Sequence, residues 1–495
     1  MLISLIFLII IVQCECKRER PNIIFILTDD QDLLLQSMVA MPHIRKVIAD
    51  EGVTFTNAFV NSPICCPSRS TILTGKYPHN TGVTNNSISG NCCSHHWQKH
   101  HEPHSFPSLL KAKGNYTTFY SGKYLNTYGN KANGGAKHVP DGFDWWIGLK
   151  GNSKYYNYTL SVNGTGRWFS DEYLTDVMKD YALSFLNQRH VYTTPFFMML
   201  ATPACHSPFT PARRHRRAFL NVKALKTPSF NYSDDNRHWL IRMPPKHLPQ
   251  DASILDDIQR SRYQTLLAVD EMVYEIVAKL KEMSVLDDTY ILFTSDNGYH
   301  IGQFAQAWDK RQPYETDLRV PFLMRGPLIK ARQILHLPVS TVDFAPTILS
   351  MAGIPVPLDM DGKSFYKQLL EDPSRERGDV FIEYHGEADS KTVDNRCPWT
   401  GDRGLSQCAL ESWCKCQDSI NNTYICLRRF SSSVNFKFCK FFDNENFMEA
   451  YDLRFDPNEL HNIYNSMEND DIQNYNKSMN FLKNCSGKRC HSNEG

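Results

Sequence analysis

Arg20-Pro21-Asn22-Ile23-Ile24-Phe25-Ile26-Leu27-Thr28-Asp29-Asp30-Gln31-Asp32 carries the clearest mark of the architecture. A run of five apolar residues, bounded by Pro21 and by a burst of acids, reads as a strand buried on both faces. Two later stretches repeat the pattern. Tyr290 to Phe293 ends in Thr294-Ser295-Asp296-Asn297-Gly298, and Phe196 to Leu200 ends in Ala201-Thr202-Pro203. Each buried strand stops where polar residues begin. In open α/β sheets, ligands bind at the carboxyl ends of strands. Between these strands lies a helical pattern, Tyr263 to Met283, with Leu266, Leu267, Val269, Met272, Val273, Ile276, Val277 and Leu280 on a period near 3.6. The fold class is therefore α/β with a large, mostly parallel sheet flanked by helices.

The character of the chain changes near residue 380. Eight of the fifteen cysteines lie beyond residue 396, among shorter apolar runs and turn residues. We expect a principal domain over residues 20–380 and a smaller, disulfide-held antiparallel α+β domain over 381–495. Leu2 to Val12 is almost wholly apolar and too short to cross a bilayer, so residues 1–16 read as a secretory signal peptide. Sequons at Asn85, Asn115, Asn157, Asn163, Asn231, Asn421, Asn476 and Asn484 fit an exported glycoprotein. Removing Cys14, Cys16 and Cys65 from the count leaves an even number of cysteines, as full pairing needs, although the adjacency of Cys92 and Cys93 works against it. Composition is that of a globular protein, 41% hydrophobic and 22% charged. The net charge of +1 excludes the basic footprint of a nucleic-acid binder, yet leaves room for a local basic pocket that takes a polyanion. No stable membrane insertion is expected.

Two constellations carry chemistry. Asp29 and Asp30 end one strand, and Asp296 and Asn297 end another; all offer hard oxygen ligands suited to Ca2+ or Mg2+. The second is Cys65-Cys66-Pro67-Ser68-Arg69-Ser70-Thr71-Ile72-Leu73-Thr74-Gly75. It reads as a cysteine at the start of a helix, where a thiolate or another anion is stabilised. Arg69, one turn on, would lie near it. From the residues alone, a thiol nucleophile, an anion-binding turn and a disulfide through Cys65 or Cys66 all remain open.

C-x-P-S-R followed by x-x-x-L-T-G resembles the signature of the sulfatase family. The resemblance implies an alkaline-phosphatase-like sheet and conversion of Cys65 to formylglycine by a dedicated oxidising enzyme, the formylglycine-generating enzyme. It implies one Ca2+ held by Asp29, Asp30, Asp296 and Asn297 together with the modified Cys65. It further implies that Lys123, in Gly122-Lys123, and Lys310, before Tyr314-Glu315, bind sulfate. His206, in His206-Ser207-Pro208, would serve the leaving oxygen, Arg69 would orient the nucleophile, and His300 would either sit at the substrate rim or be structural. The pattern departs from the family at Leu125, where a histidine is common, at Asn115, where glycine is usual, and at Cys205, where proline often stands.

Cys65 to Asn80, Gly122 to Asn126, Asn152 to Leu160, His238 to Arg242 and Thr294 to Phe304 are similar to members acting on the 6-sulfate of N-acetylglucosamine. The resemblance therefore implies a sulfated glycosaminoglycan substrate, heparan or keratan sulfate, that loses the 6-sulfate of the sugar at its non-reducing end. A lysosomal home reached by the secretory pathway follows, or alternatively a secreted one. Rival readings are an extracellular heparan endosulfatase, an arylsulfatase, a phosphate-acting relative and an inactive glycan-binding homologue.

Overall fold

A computed structural model describes residues 20–188, 191, 193–374, 377–387, 396–398 and 404–491. The expected signal peptide lies outside these residues. Ten strands form one sheet: β1 (Asn22–Thr28), β2 (Val53–Phe55), β3 (Thr117–Lys123), β4 (Trp145–Leu149), β5 (Tyr158–Val162), β6 (Thr165–Phe169), β7 (Phe196–Ala201), β8 (Thr289–Ser295), β9 (Phe322–Arg325) and β10 (Gln333–Leu335). Their spatial order is β10-β2-β9-β8-β1-β7-β3-β4-β5-β6. The five central strands, β8-β1-β7-β3-β4, run parallel. Strands β9, β5 and β6 run antiparallel to their neighbours.

The three runs that read as buried strands are the three adjacent central ones. Every residue of β1 is buried, because alternate side chains enter two different cores. Ile23, Phe25 and Leu27 pack on one face with Tyr290 and Leu292 of β8. Ile24 and Ile26 pack on the other with Ile291 and Phe293. The second core also takes the inner faces of the helices Leu174–Leu186 and Ser253–Glu282. The helix expected from Tyr263 starts ten residues earlier. Its first turns carry Asp256, Asp257 and Arg260 and bury only Leu255, Ile258, Gln259 and Arg262, so the apolar stripe is thin there.

Beyond residue 380, a second sheet of four antiparallel strands is formed by β11 (Val380–Tyr384), β12 (Tyr424–Phe430), β13 (Asn435–Phe441) and β14 (Met448–Asp452). Along β12, Tyr424 and Cys426 face the main core, whereas Ile425 and Leu427 face the helix Asn469–Lys483. A two-residue period thus joins the small sheet to the large one without a solvent gap. Disulfides link Cys66–Cys92, Cys397–Cys414, Cys408–Cys416, Cys426–Cys439 and Cys485–Cys490. Pairing is not complete: Cys93 and Cys205 stay buried thiols, as does Cys65. Among the described residues no helix is long and apolar enough to cross a membrane.

A buried charge cluster ties the sheets together. Glu315 accepts from Arg428 Nε (3.0 Å) and lies 2.8 Å from Lys437 Nζ, which also donates to Glu459 (2.5 Å). Burial raises the Glu315 carboxyl, but Arg428 and Lys437 outweigh it and hold it below its ordinary range. Glu459 goes the other way: burial and the adjacent Glu315 raise it despite Lys437. A raised folded-state pKa stabilises below the ordinary carboxyl range and loses that effect as pH rises; a depressed one stabilises above it. Both contributions therefore coincide only in the mildly acid range. Tm measured across pH should rise from neutral toward that range and fall again below it. Glu459→Gln should flatten the limb on the neutral side; an unchanged limb would separate the cluster from the stability profile.

Candidate active site

All five central parallel strands deliver a side chain to one place. Asp296 and Asn297 follow β8, Asp29 and Asp30 follow β1, and His206 follows β7. Lys123 is the last residue of β3, and Ser153 follows β4. Gly122, with φ +111, permits this at β3, because a Cβ there would lie 1.9 Å from the Ala201 carbonyl oxygen of β7. Asp30 is itself left-handed, with φ 61. That conformation is sparsely populated outside glycine and is held by its surroundings. The Asp30 N–H donates to Asp296 Oδ1 (3.1 Å), and its carbonyl accepts from Arg262 Nη2 (2.9 Å).

The helix α1 (Cys65–Thr74) is wholly buried and begins with Cys65. It ends at Gly75, whose φ of 65 suits a left-handed C-terminal residue. Asn86 Oδ1 accepts from the free Cys66 N–H at its start (2.9 Å). Cys66 takes the disulfide with Cys92, which leaves the neighbouring Cys65 thiol unpaired, its Sγ 3.6 Å from Asp29 Oδ1. Burial pushes this thiol up to about 12, with Lys123 and Lys310 opposing. An unmodified Cys65 is therefore not a thiolate nucleophile near neutral pH.

Around it the charges interlock. Lys123 Nζ donates to Asp29 Oδ2 at 2.6 Å, and Lys310 Nζ donates to both oxygens of Asp30 at 2.6 Å. Arg69 bonds Asp296 through Nε (2.7 Å), lies 3.7 Å from Asp29, and donates from Nη1 to the Lys123 carbonyl (2.6 Å). Burial alone would raise Asp29, yet Lys123, His206 and Arg69 hold it well below the carboxylate range. Asp296 is raised by burial and by the Asp29 charge beside it. His206 Nδ1 lies 2.6 Å from the Ser207 carbonyl and Nε2 lies 3.8 Å from Asp30. Burial, then Lys310, lowers this imidazole to about 4.

Ligand-type atoms of Asp29, Asp30, Cys65 and His206 lie within 4.8 Å of one another. Asp296 stands one step back, with both oxygens engaged by Arg69 and the Asp30 N–H. Asn297 donates from Nδ2 to Asp30 Oδ1 (2.7 Å), while its buried Oδ1 has no hydrogen-bond partner. An orphaned amide oxygen beside carboxylates is what a hard cation would satisfy. Three carboxylates face three buried cations, Arg69, Lys123 and Lys310, so the site is formally neutral. A bound divalent ion would leave a surplus of positive charge for a sulfate monoanion and a developing negative nucleophile.

Above these groups opens a cleft of about 490 Å3, a size that suits a small ligand, with Asp30, His206 and Lys310 on its floor. Gln407, Ala409, Ser412 and Gln417 form part of its wall. They belong to the segment stapled by Cys397–Cys414 and Cys408–Cys416. His300 does not line the cleft. Its Nδ1 lies 3.0 Å from Asp317 and its Nε2 3.1 Å from Gln417 Oε1, a residue that does line the cleft. Leu125 is fully buried in the apolar core. Ser153, which lies in the family-like stretch Asn152 to Leu160 but is not singled out by the sequence as a site residue, donates to Asp29 Oδ2 at 2.6 Å. Asn115, Asn157, Asn163 and Asn484 are exposed; Asn85, Asn231, Asn421 and Asn476 are half-buried.

Residues 21–354 match the family described as Sulfatase. N-acetylglucosamine-6-sulfatase of Homo sapiens is 45% identical over 480 residues, covering 96% of this chain and 86% of that one. Its counterpart from Capra hircus is 45% identical over 96% of this chain and 85% of its own. A solved structure of a protein in complex with its substrate D-glucosamine-2-N,6-O-disulfate superposes with a TM-score of 0.75. It is 24% identical and covers 96% of this chain and 99% of that one, a likeness of fold.

Proposed function

This chain belongs to the sulfatase family and is a sulfuric ester hydrolase, and on that premise we propose that it removes the 6-sulfate from N-acetylglucosamine 6-sulfate at the non-reducing ends of heparan and keratan sulfate. The observation that carries this reading is the unpaired Cys65, buried between Asp29 and two lysines beside a cysteine that does form a disulfide. The substrate comes from the likeness to the human and goat enzymes along nearly the whole chain.

Cys65 is the residue we assign to formylglycine, made by the formylglycine-generating enzyme during export. Its hydrated aldehyde would supply one hydroxyl as nucleophile and a second to release the sulfate. Asp29, Asp30, Asp296 and Asn297 are the oxygen donors we assign to one Ca2+, which when bound would polarise a sulfate oxygen and lower the pKa of the nucleophile. Lys123 and Lys310, fixed on the two carboxylates, present positive charge where sulfate oxygens gather. Arg69 keeps Asp296 and Asp29 in register with α1. His206 directs Nδ1–H at a backbone carbonyl, which leaves Nε2 facing the leaving sugar oxygen; it would hand over a proton there from the imidazolium form, which acid pH and a bound sulfate would favour. A lysosomal destination and glycans at the eight sequons complete the proposal.

The test is the mass of the tryptic peptide containing Cys65, from protein made in a secretory host with an active converting enzyme. A deficit of about 18 Da against the cysteine peptide, from replacing SH and H by a carbonyl oxygen, is expected. An intact thiol there would overturn the assignment of the nucleophile. Turnover of N-acetylglucosamine 6-sulfate, set against release of sulfate from inside a polymer, checks the substrate.

A further inference from the structure

Beside the cleft runs a second depression, of about 590 Å3, that the mechanism does not use. Lys131, Lys137 and Lys150 line it together with Gly129 and the turn at Gly164. All three lysines are exposed, and among the described residues none is paired with a carboxylate. No acidic residue lines the depression. On a chain whose net charge is +1, three unneutralised lysines around one groove mark a local positive field.

Two short segments connect the groove to the cleft, although no residue lines both. Asn126 and Asn152 line the cleft, and Asn126 Nδ2 lies 3.5 Å from Asn152 Oδ1. Gly129 follows Asn126 by three residues, and Lys150 precedes Asn152 by two. The two segments are bonded to each other, Gly151 N–H to the Tyr128 carbonyl at 2.8 Å. Gly129 has φ +78, and a Cβ there would come within 2.5 Å of Lys150 Cγ. The missing side chain is thus the room in which the Lys150 stem lies across the backbone. Lys150 thus stands at the end of the groove nearer the cleft, two residues of chain from Asn152, and Lys137 at the end by Gly164.

We infer that this groove is an exosite for the sulfated glycan beyond the sugar being desulfated, its lysines holding sulfate and carboxylate groups of inner residues. The inference rests on the glycosaminoglycan reading of the cleft. Because the cations are exposed, their hold on a polyanion is screened by salt. A single terminal sugar in the cleft would not feel the groove; an oligosaccharide would.

The experiment uses the full-length glycosylated protein, with whatever glycan stands at Asn163 in place, and the variant Lys131→Ala/Lys137→Ala/Lys150→Ala. Affinity for a heparan sulfate oligosaccharide is measured by calorimetry at several salt concentrations. kcat/KM is measured for that oligosaccharide and for N-acetylglucosamine 6-sulfate. In the variant we expect oligosaccharide affinity and kcat/KM to fall about tenfold, the change appearing in KM, on the scale of three weak ion pairs acting together. The salt dependence should shrink, while the monosaccharide values stay within about twofold. Equal oligosaccharide affinity in variant and parent would overturn the exosite. If neither sugar is turned over by the parent, the substrate assignment fails, and the binding comparison still decides the groove.

Discussion

Cys65→Ala abolishes sulfate ester hydrolysis, by at least about 10^4-fold in kcat, and leaves the protein folded. The loss is large because no neighbouring group can stand in. The carboxylates and imidazole that converge with Cys65 are already engaged, Asp29 by Lys123, Asp30 by Lys310 and His206 by the Ser207 carbonyl. The fold survives because Cys65 forms no disulfide, and alanine is the best helix former at the start of α1. Removing one buried sulfur costs about 1 kcal/mol or a little more. Cys66→Ala is the control. It removes the bond to Cys92, so it should lower stability by about 2–4 kcal/mol while the reactive position stays in place. Activity in both variants is read with a fluorogenic sulfate ester and folding by Tm. An active Cys65→Ala protein would end the assignment of the nucleophile.

Lys310→Met lowers kcat by about 10^2–10^3-fold, the scale of losing one preorganised donor to developing negative charge. Lys310 reaches both Asp30 oxygens at 2.6 Å, and burial, which disfavours its charge, is outweighed by Asp30. The ammonium therefore stays charged, against the floor of the cleft. Methionine keeps the length and the apolar stem but frees Asp30 of its partner. The freed carboxylate has more lone pairs to offer a cation, so the apparent Kd for Ca2+ should tighten or hold while turnover collapses. That opposition is the check: a purely structural role for Lys310 would weaken cation binding and turnover together. Calcium titration of intrinsic fluorescence, alongside steady-state kinetics, reads both.

Much of this was legible in the sequence, and the reasons differ from place to place. The three central strands announced themselves because burial on both faces forces an unbroken apolar run, and their ends announced the carboxylates. The gathering of Lys123, His206 and Lys310 was legible only through family resemblance. Singly, each is a polar residue after a strand or in a loop, and no local period says which way it points. Ser153 was missed for that reason. Gln417 was missed for another: it reaches His300 across more than a hundred residues of chain, through a wall that two disulfides shape. Cysteine parity allowed full pairing and the adjacency of Cys92 and Cys93 told against it; Cys93 and Cys205 are buried as small apolar side chains rather than bridged. His300 looked like a rim residue from its place after Gly298, but Asp317 and Gln417 engage both ring nitrogens.

The pairing of β1 carries a consequence for the order of events in synthesis. Strand β1 finds its partners only in β7, at Ile23–Phe197, and β8, at Asn22–Thr289. Both lie far downstream of Cys65, which is fully enclosed once they dock. At about 5–20 residues per second, the chain from Cys65 to β8 takes roughly 10–45 seconds to emerge. The enzyme we propose to oxidise Cys65 would therefore have to reach the chain before these strands close over it, with that interval as its first opportunity. A maturation enzyme given only finished protein would find a closed door, so slowing translation downstream of Cys65 should raise the converted fraction and fast refolding in its absence should fix the thiol for good.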